Sequence, residues 1–309
     1  MKLFFVCLCL IVFNTCRHDN SLEKAPKEEF DFLFLSHTYL RGGTHMDIDP
    51  LIKEIDFNDY DLLMLGGDLL EHTTQYADTF EWVNSIFKLD QPKTLWALGN
   101  HDYDNVQSIR DKIGGPQYFA KYFKGITFLV LDTQDSLSNF RADQLELIKN
   151  VTDTILESSH LIVLMHKLVW MVDGGLLETM VDSVCNGGLG TCFYCNNPNN
   201  FYSDVYPRLV AVKNRGIGVL CLGGDIGLSV QKYEHVSNEG IRFAATGLCS
   251  GCAVNYGMRF KWISSANELS YEYVLMTELV EEVDFDMDSL LCFLWISGLP
   301  GLKNVSIWI

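Results

Sequence analysis

Four short apolar runs in this chain each end in a cluster of carboxylate, imidazole or amide side chains, and three of the clusters sit beside glycines. They read Leu65-Gly66-Gly67-Asp68-Leu69-Leu70-Glu71, Leu98-Gly99-Asn100-His101-Asp102, Met165-His166-Lys167 and Leu222-Gly223-Gly224-Asp225-Ile226-Gly227. A fifth element, Phe34-Leu35-Ser36-His37-Thr38-Tyr39, precedes them. An α/β sheet places its ligand site at the carboxyl ends of its strands, and glycine there permits sharp turns and close backbone approach. Taken alone, a Gly-Asp after a strand reads as a turn with a helix cap, and a lone His as a structural residue. Five such elements in order point to one shared site.

Between the clusters, short apolar runs alternate with amphipathic stretches, the pattern of βα units and a mixed or parallel sheet. Strands are expected at Phe30–Ser36, Leu62–Leu65, Thr94–Ala97, Ile126–Leu131, Leu161–Met165, Gly218–Leu222 and Phe243–Ala245, with another near Tyr271–Met276. Helices are expected at Pro50–Ile55, Ala77–Phe87, Arg141–Glu157 and Asp204–Lys213. In the third of these, Leu145, Ile148, Val151 and Ile155 recur at helical spacing. The Gly, Asn and Cys-rich stretch Asp173–Asn200 reads as an inserted loop, so the expectation is one domain over residues 16–288 with an insertion at about 173–200.

The ends read differently. Met1 and Lys2, an apolar run Leu3–Phe13 and then Thr15-Cys16 have the form of an export signal over residues 1–15. Cys16 resembles the lipid-accepting cysteine of a bacterial lipoprotein, which makes it a candidate anchor; ordinary secretion is the alternative, and a bacterial source would put the protein in the periplasm or on a membrane. The tail, residues 289–309, is apolar but interrupted by Gly298-Leu299-Pro300-Gly301, which favours a packed segment over a membrane helix.

The 309 residues carry 23 Lys and Arg against 40 Asp and Glu, a formal charge of −17. With 48% hydrophobic residues and a mean hydropathy of +0.08, the chain can bury a core and is not disordered. The acidic balance repels polyphosphate and disfavours a nucleic-acid polymer as partner. A small phosphorylated ligand remains open if a bound metal supplies the positive charge.

The order Gly67-Asp68, then Gly99-Asn100-His101-Asp102, then His166 after an apolar strand, then a Gly-rich polar motif after another, resembles the calcineurin-like metallophosphoesterase superfamily. The resemblance runs from about Phe30 to Met276, and Gly99-Asn100-His101-Asp102 is its most specific piece. It implies an α/β sandwich: two mixed β-sheets packed face to face and flanked by helices, holding two metal ions bridged by one Asp. It further implies that Asp68 bridges the metals and that Asn100 and His166 bind the second metal. His101 would assist the leaving oxygen, and Asp102 would orient the His101 imidazole. The implied activity is an exported, metal-dependent hydrolysis of a phosphate mono- or diester by metal-activated water.

The departures matter as much. Where the family carries Asp-any-His this chain has His37 and Tyr39, and where it carries Gly-His-any-His this chain has Asp225 and Gly227. His and Asp both remain competent ligands. By this count one site keeps Asp68, Asn100, His166 and Asp225, while the other keeps His37 and Asp68. Glu71 is a candidate replacement ligand, because related purple acid phosphatases bind metal three residues after the bridging Asp; the alternative puts Glu71 in the first turn of a helix. The expectation is one firm divalent ion (Mn, Fe or Zn) and one weak one. The alternative function is a catalytically degenerate member that binds a phosphorylated ligand or serves as a surface interaction module.

Cys192, Cys195, Cys249 and Cys252 form two pairs at the spacing of a zinc ribbon, so a structural Zn is a candidate. In an exported chain disulfides are favoured, linking the insertion to the loop after Gly247. Cys221 reads as buried and apolar. His45 and His72 lie near the motif loops, and Trp170, Tyr194, Phe201 and Tyr202 either stack on a substrate ring or pack.

Overall fold

The computed structural model describes residues 28–280 except 43, 115, 135–137 and 187–198. The expected export signal, Cys16, the apolar tail, Tyr194, Cys192 and Cys195 lie outside the described residues. Among the described residues, eleven strands form two mixed sheets. The first has the order β11(Glu268–Leu275), β10(Tyr256–Ile263), β1(Glu29–Leu35), β2(Leu62–Leu65), β3(Thr94–Trp96), with β1, β2 and β3 parallel. The second has the order β4(Phe119–Phe123), β5(Ile126–Val130), β6(His160–Met165), β7(Gly218–Gly223), β9(Arg242–Thr246), β8(Lys232–Val236), with β5, β6, β7 and β9 parallel.

Each central strand is buried on both faces, which is why its sequence reads as a continuous apolar run. In β1, Phe30, Phe32 and Phe34 enter the core between the sheets, where they meet Phe128, Ile162, Leu220 and Trp262. The alternate residues Leu33 and Leu35 face the opposite way and pack under α1(Ala77–Phe87) and α2(Val106–Ile113). The outer face of the second sheet is covered by α3(Ala142–Thr154), the short α4(Val181–Val184) and α5(Tyr206–Asn214). The two-sheet sandwich is therefore as expected from the resemblance.

Several elements differ from the sequence expectation. Pro50–Lys53 is a single 3-10 turn, and α5 is preceded by a π-helical turn over Phe201–Val205. On α3 the inward stripe is Gln144, Ile148 and Thr152 rather than the apolar positions alone. Gln144 is tolerated there because its amide pairs with both main-chain groups of Asp132, at 2.7 and 3.0 Å. Part of the inserted stretch is ordered as 3-10 turns over Gly175–Met180 followed by α4. The strands β4, β8 and β10 and the helix α2 carry alternating or mixed polar patterns and offer no apolar run to read.

Trp170 and Phe201 are fully buried and Tyr202 donates to the Trp170 carbonyl at 2.6 Å, so these aromatics pack the core instead of lining a site. Cys249 and Cys252 are joined to each other, with Cα atoms 5.4 Å apart, which corrects the expected bridge from this loop to the insertion. Cys221 is fully buried in β7, and burial pushes its thiol far up from the ordinary range. Among the described residues no helix is long and apolar enough to cross a membrane.

Candidate metal centre

The segments that leave β1, β2, β3, β6 and β7 converge at one end of the sandwich because these strands run parallel within their sheets and end together. Their glycines let the main chains touch. A Cβ on Gly67 would meet the His166 ring, one on Gly99 would meet the Asp68 carboxylate, and one on Gly224 would meet the Gly66 carbonyl. Ser36 ties the two sheets here, its hydroxyl donating to the carbonyls of Gly67 (3.1 Å) and Gly224 (3.0 Å). His37 and Asp68 both adopt the left-handed conformation, at φ 56° and 55°, a strain that a surrounding frame must hold in place.

The result is a buried cluster. His37, Asp68 and Asp225 each offer a ligand atom, all within 4.8 Å of one another. The Asp68 Oδ2 lies 3.5 Å from His37 Nε2 and 3.5 Å from His166 Nε2, which in turn lies 3.8 Å from Asp225 Oδ1. His37 and Asp225, expected at different metals, lie in one group of candidate ligand atoms.

His166 shows how the cluster suits a cation. It is fully buried, its Nδ1 donates to the Gly66 carbonyl at 2.6 Å, and its Nε2 has no hydrogen-bond partner. A carbonyl on one ring nitrogen fixes the tautomer and aims the other nitrogen's lone pair, as at histidine metal ligands. Burial opposes the His166 proton, but the Asp68 and Asp225 carboxylates outweigh it and raise the pKa. Burial lowers that of His37 despite the same carboxylates. Burial would raise that of Asp68, yet the His166, His37 and His101 rings hold it below the usual range. A neutral imidazole, an anionic carboxylate and an imidazole whose proton a cation can displace are the donor set a divalent ion requires.

His101 belongs to the same site through its main chain, whose N–H donates to Asp68 Oδ1 at 2.9 Å. Its ring is oriented by the Glu71 main-chain carbonyl, 2.8 Å from Nδ1. This corrects the role expected of Asp102. The Asp102 carboxylate is fully buried and accepts instead from the N–H groups of Asp68 (2.7 Å), Leu69 (3.1 Å) and Gly99 (2.9 Å), the Thr73 hydroxyl (2.5 Å) and the Trp96 indole (3.3 Å). Asp102 braces the loop that carries Asp68. Burial and the Asp68 charge push its carboxyl up to about 6, against the pull of the Thr73, Gly99 and Leu69 bonds.

Glu71 also differs from expectation. Its carboxylate lies outside the ligand group, no helix starts at it, and it serves through its carbonyl. Asn100 is exposed on the 3-10 turn Asn100–Asp102. Tyr39 sits between two imidazoles, with ring centroids 4.7 Å from His37 and 4.8 Å from His101. Burial, reinforced by Asp68, pushes its phenol up from the ordinary range.

Gly227, where the family carries a second imidazole, has φ 136° and a Cβ there would lie 2.5 Å from the Leu248 carbonyl oxygen. No side chain fits.

Lys167 was part of a motif but received no role from sequence. It is largely buried, its ammonium bonds Ser138 at 3.2 Å, and the charges of Asp225, Asp132 and Asp68 act on it against the effect of burial. Thr73 and Trp96, which complete the Asp102 brace, carry no sequence signal that separates them from loop and core residues. His72 pairs with Asp104 at 3.1 Å on the surface, and the His45 ring lies 5.1 Å from that of Tyr76.

The two mixed sheets with flanking helices have the metallophosphoesterase type of fold. The model of the calcineurin-like phosphoesterase family matches residues 27–179, which hold every motif but the one at Asp225. No curated protein matches the sequence. Among solved structures it is similar to the NAD nucleotidase of Haemophilus influenzae (14% identity, TM-score 0.40, 80% of this chain and 50% of that one). It is also similar to a 5'-nucleotidase precursor from Thermus thermophilus (12%, 0.42, 87% and 59%) and to Vps29 of Chaetomium thermophilum (13%, 0.33, 80% and 96%). The chain thus spans between half and three-fifths of the two nucleotidases' length.

Proposed function

We propose that this protein hydrolyses a phosphate mono- or diester of a small molecule with the help of a divalent cation held by Asp68, His166, Asp225 and His37. The observation that carries this reading is the buried, unpartnered Nε2 of His166, facing the Asp68 and Asp225 carboxylates. A divalent ion bound there supplies Lewis acidity, making water a better nucleophile and screening phosphoryl charge. The chain's own residues do the rest. Asp102 holds the Asp68 loop, and the Glu71 carbonyl sets the His101 ring so that its Nε2 faces away from the main chain. Asn100, exposed on the adjacent turn, is available to the phosphoryl oxygens, and Lys167 adds positive charge beside the cluster.

Turnover of an aryl phosphate mono- and diester with Mn²⁺, Fe²⁺ or Zn²⁺ added tests the proposal. Activity should require metal and disappear in His166→Ala. Absence of turnover with every metal favours the second reading, a phospho-ligand-binding module. One contact speaks for that module: the Tyr39 hydroxyl lies 3.5 Å from His101 Nε2, the atom a proton-donating role would use. Export and lipidation at Cys16 complete the proposal, and mass spectrometry of the mature amino terminus tests them.

A further inference from the structure

A cavity of about 390 Å³ opens where the edge strands of the two sheets, β3 and β4, diverge and α2 crosses between them. That volume is at the lower end of the range of about 300–1,000 Å³ that small-molecule sites occupy. Its walls are apolar and partly aromatic: Leu95, Trp96, Leu98, Ile109, Ile113 and Phe119. One polar side chain among this lining carries a buried donor without a partner. Gln117 is 6% exposed, and its Oε1 accepts from Arg110 Nε (3.3 Å) and Nη2 (3.1 Å), which fixes which way the amide faces. Its Nε2 is buried and has no hydrogen-bond partner. A buried donor without an acceptor is costly, and native proteins satisfy nearly all of them.

The Lys121 ammonium lines the rim, bonded to the Pro92 carbonyl, with the exposed Asp90 carboxylate also there. We propose that this cavity binds a compact arylalkyl carboxylate, its ring between Trp96 and Phe119 and a carboxylate oxygen accepting from Gln117 Nε2. An aromatic ring suits walls that carry an indole and a phenyl ring. The site shares no residue with the metal cluster and does not depend on the proposed hydrolysis.

Ligand-observed NMR on the full chain tests it, with 4-phenylbutyrate as the probe and 4-phenylbutylamine, which offers no acceptor when charged, as its counterpart. The carboxylate should bind with a Kd of about 1 mM or tighter, and the amine about tenfold more weakly. Gln117→Leu should weaken carboxylate binding about tenfold and erase the preference. Ala120→Trp, an exposed position on the lining, should block both probes while leaving the melting temperature unchanged, and it decides the matter if Gln117→Leu does not fold. No carboxylate binding at millimolar concentration, equal binding of the two probes, or binding that survives Ala120→Trp overturns the proposal.

Discussion

The Tyr39 hydroxyl lies 3.5 Å from Nε2 of His101, while the Nδ1 of the same ring is held by the Glu71 carbonyl at 2.8 Å. Both nitrogens of His101 therefore have neighbours from the protein, and the phenol occupies the place where the family carries an imidazole ligand. Replacing His101 with Ala should lower kcat by about 10²–10⁴-fold, the usual contribution of a positioned proton donor. Tyr39→Phe should leave kcat within about tenfold of the parent, because the phenol touches His101 without orienting it. Steady-state kinetics with an aryl phosphate reads both, and a Tyr39→Phe loss as deep as that of His101→Ala would show that the phenol takes part in the reaction.

Metal should be bound by four side chains around one centre. Chelation followed by metal analysis should leave an ion-free protein that regains one tightly held ion per chain, with a second only at high metal concentration. A cation at about 100 times its Kd stabilises the folded state by about 2.7 kcal/mol, which for a domain of this size raises Tm by about 5–10 °C. His166→Ala and Asp68→Asn should abolish that rise in differential scanning fluorimetry. Two tightly retained ions in the parent protein would refute the single-centre assignment.

Asp102 should matter to stability before it matters to chemistry. Its carboxylate receives three main-chain N–H groups, a hydroxyl and an indole, all buried. Asp102→Ala leaves these donors unpaired, at a cost of about 3 kcal/mol or more, read from the urea midpoint. The folded carboxyl is pushed up to about 6, above the unfolded value of about 4. A raised carboxyl favours the folded state fully below pH of about 4, and this contribution fades as pH climbs through about 6. The ion-free protein should therefore lose up to about 3 kcal/mol across that window. Asp102→Asn should flatten the slope.

Restoring the family's missing imidazole at position 227 should fail. Gly227 holds a positive φ and faces the Leu248 carbonyl, so Gly227→His should destabilise the protein by about 2 kcal/mol or more and gain no metal. A Gly227→His variant that folds as well as the parent and binds an extra ion would contradict the geometry.

Much of this protein was legible in the amino-acid sequence. The central parallel strands are buried on both faces, so each wrote itself as an unbroken apolar run, and Leu62–Leu65 and Ala77–Phe87 fall where periodicity placed them. The polar clusters marked the strand ends and named His37, Asp68, His166 and Asp225, and the glycines beside Asp68, Asn100 and Asp225 let these loops touch. Edge strands such as β4 and β8 carried no such signal, since half their residues face solvent. Partnership was beyond the sequence. That His37 and Asp225 come together depends on loops from two different sheets, and that Glu71 acts through its carbonyl and Asp102 serves the Asp68 loop and not the His101 ring depends on distances between the loops after β2 and β3. Residue type sets what a side chain can bond, but only tertiary packing decides which partner lies within about 3 Å.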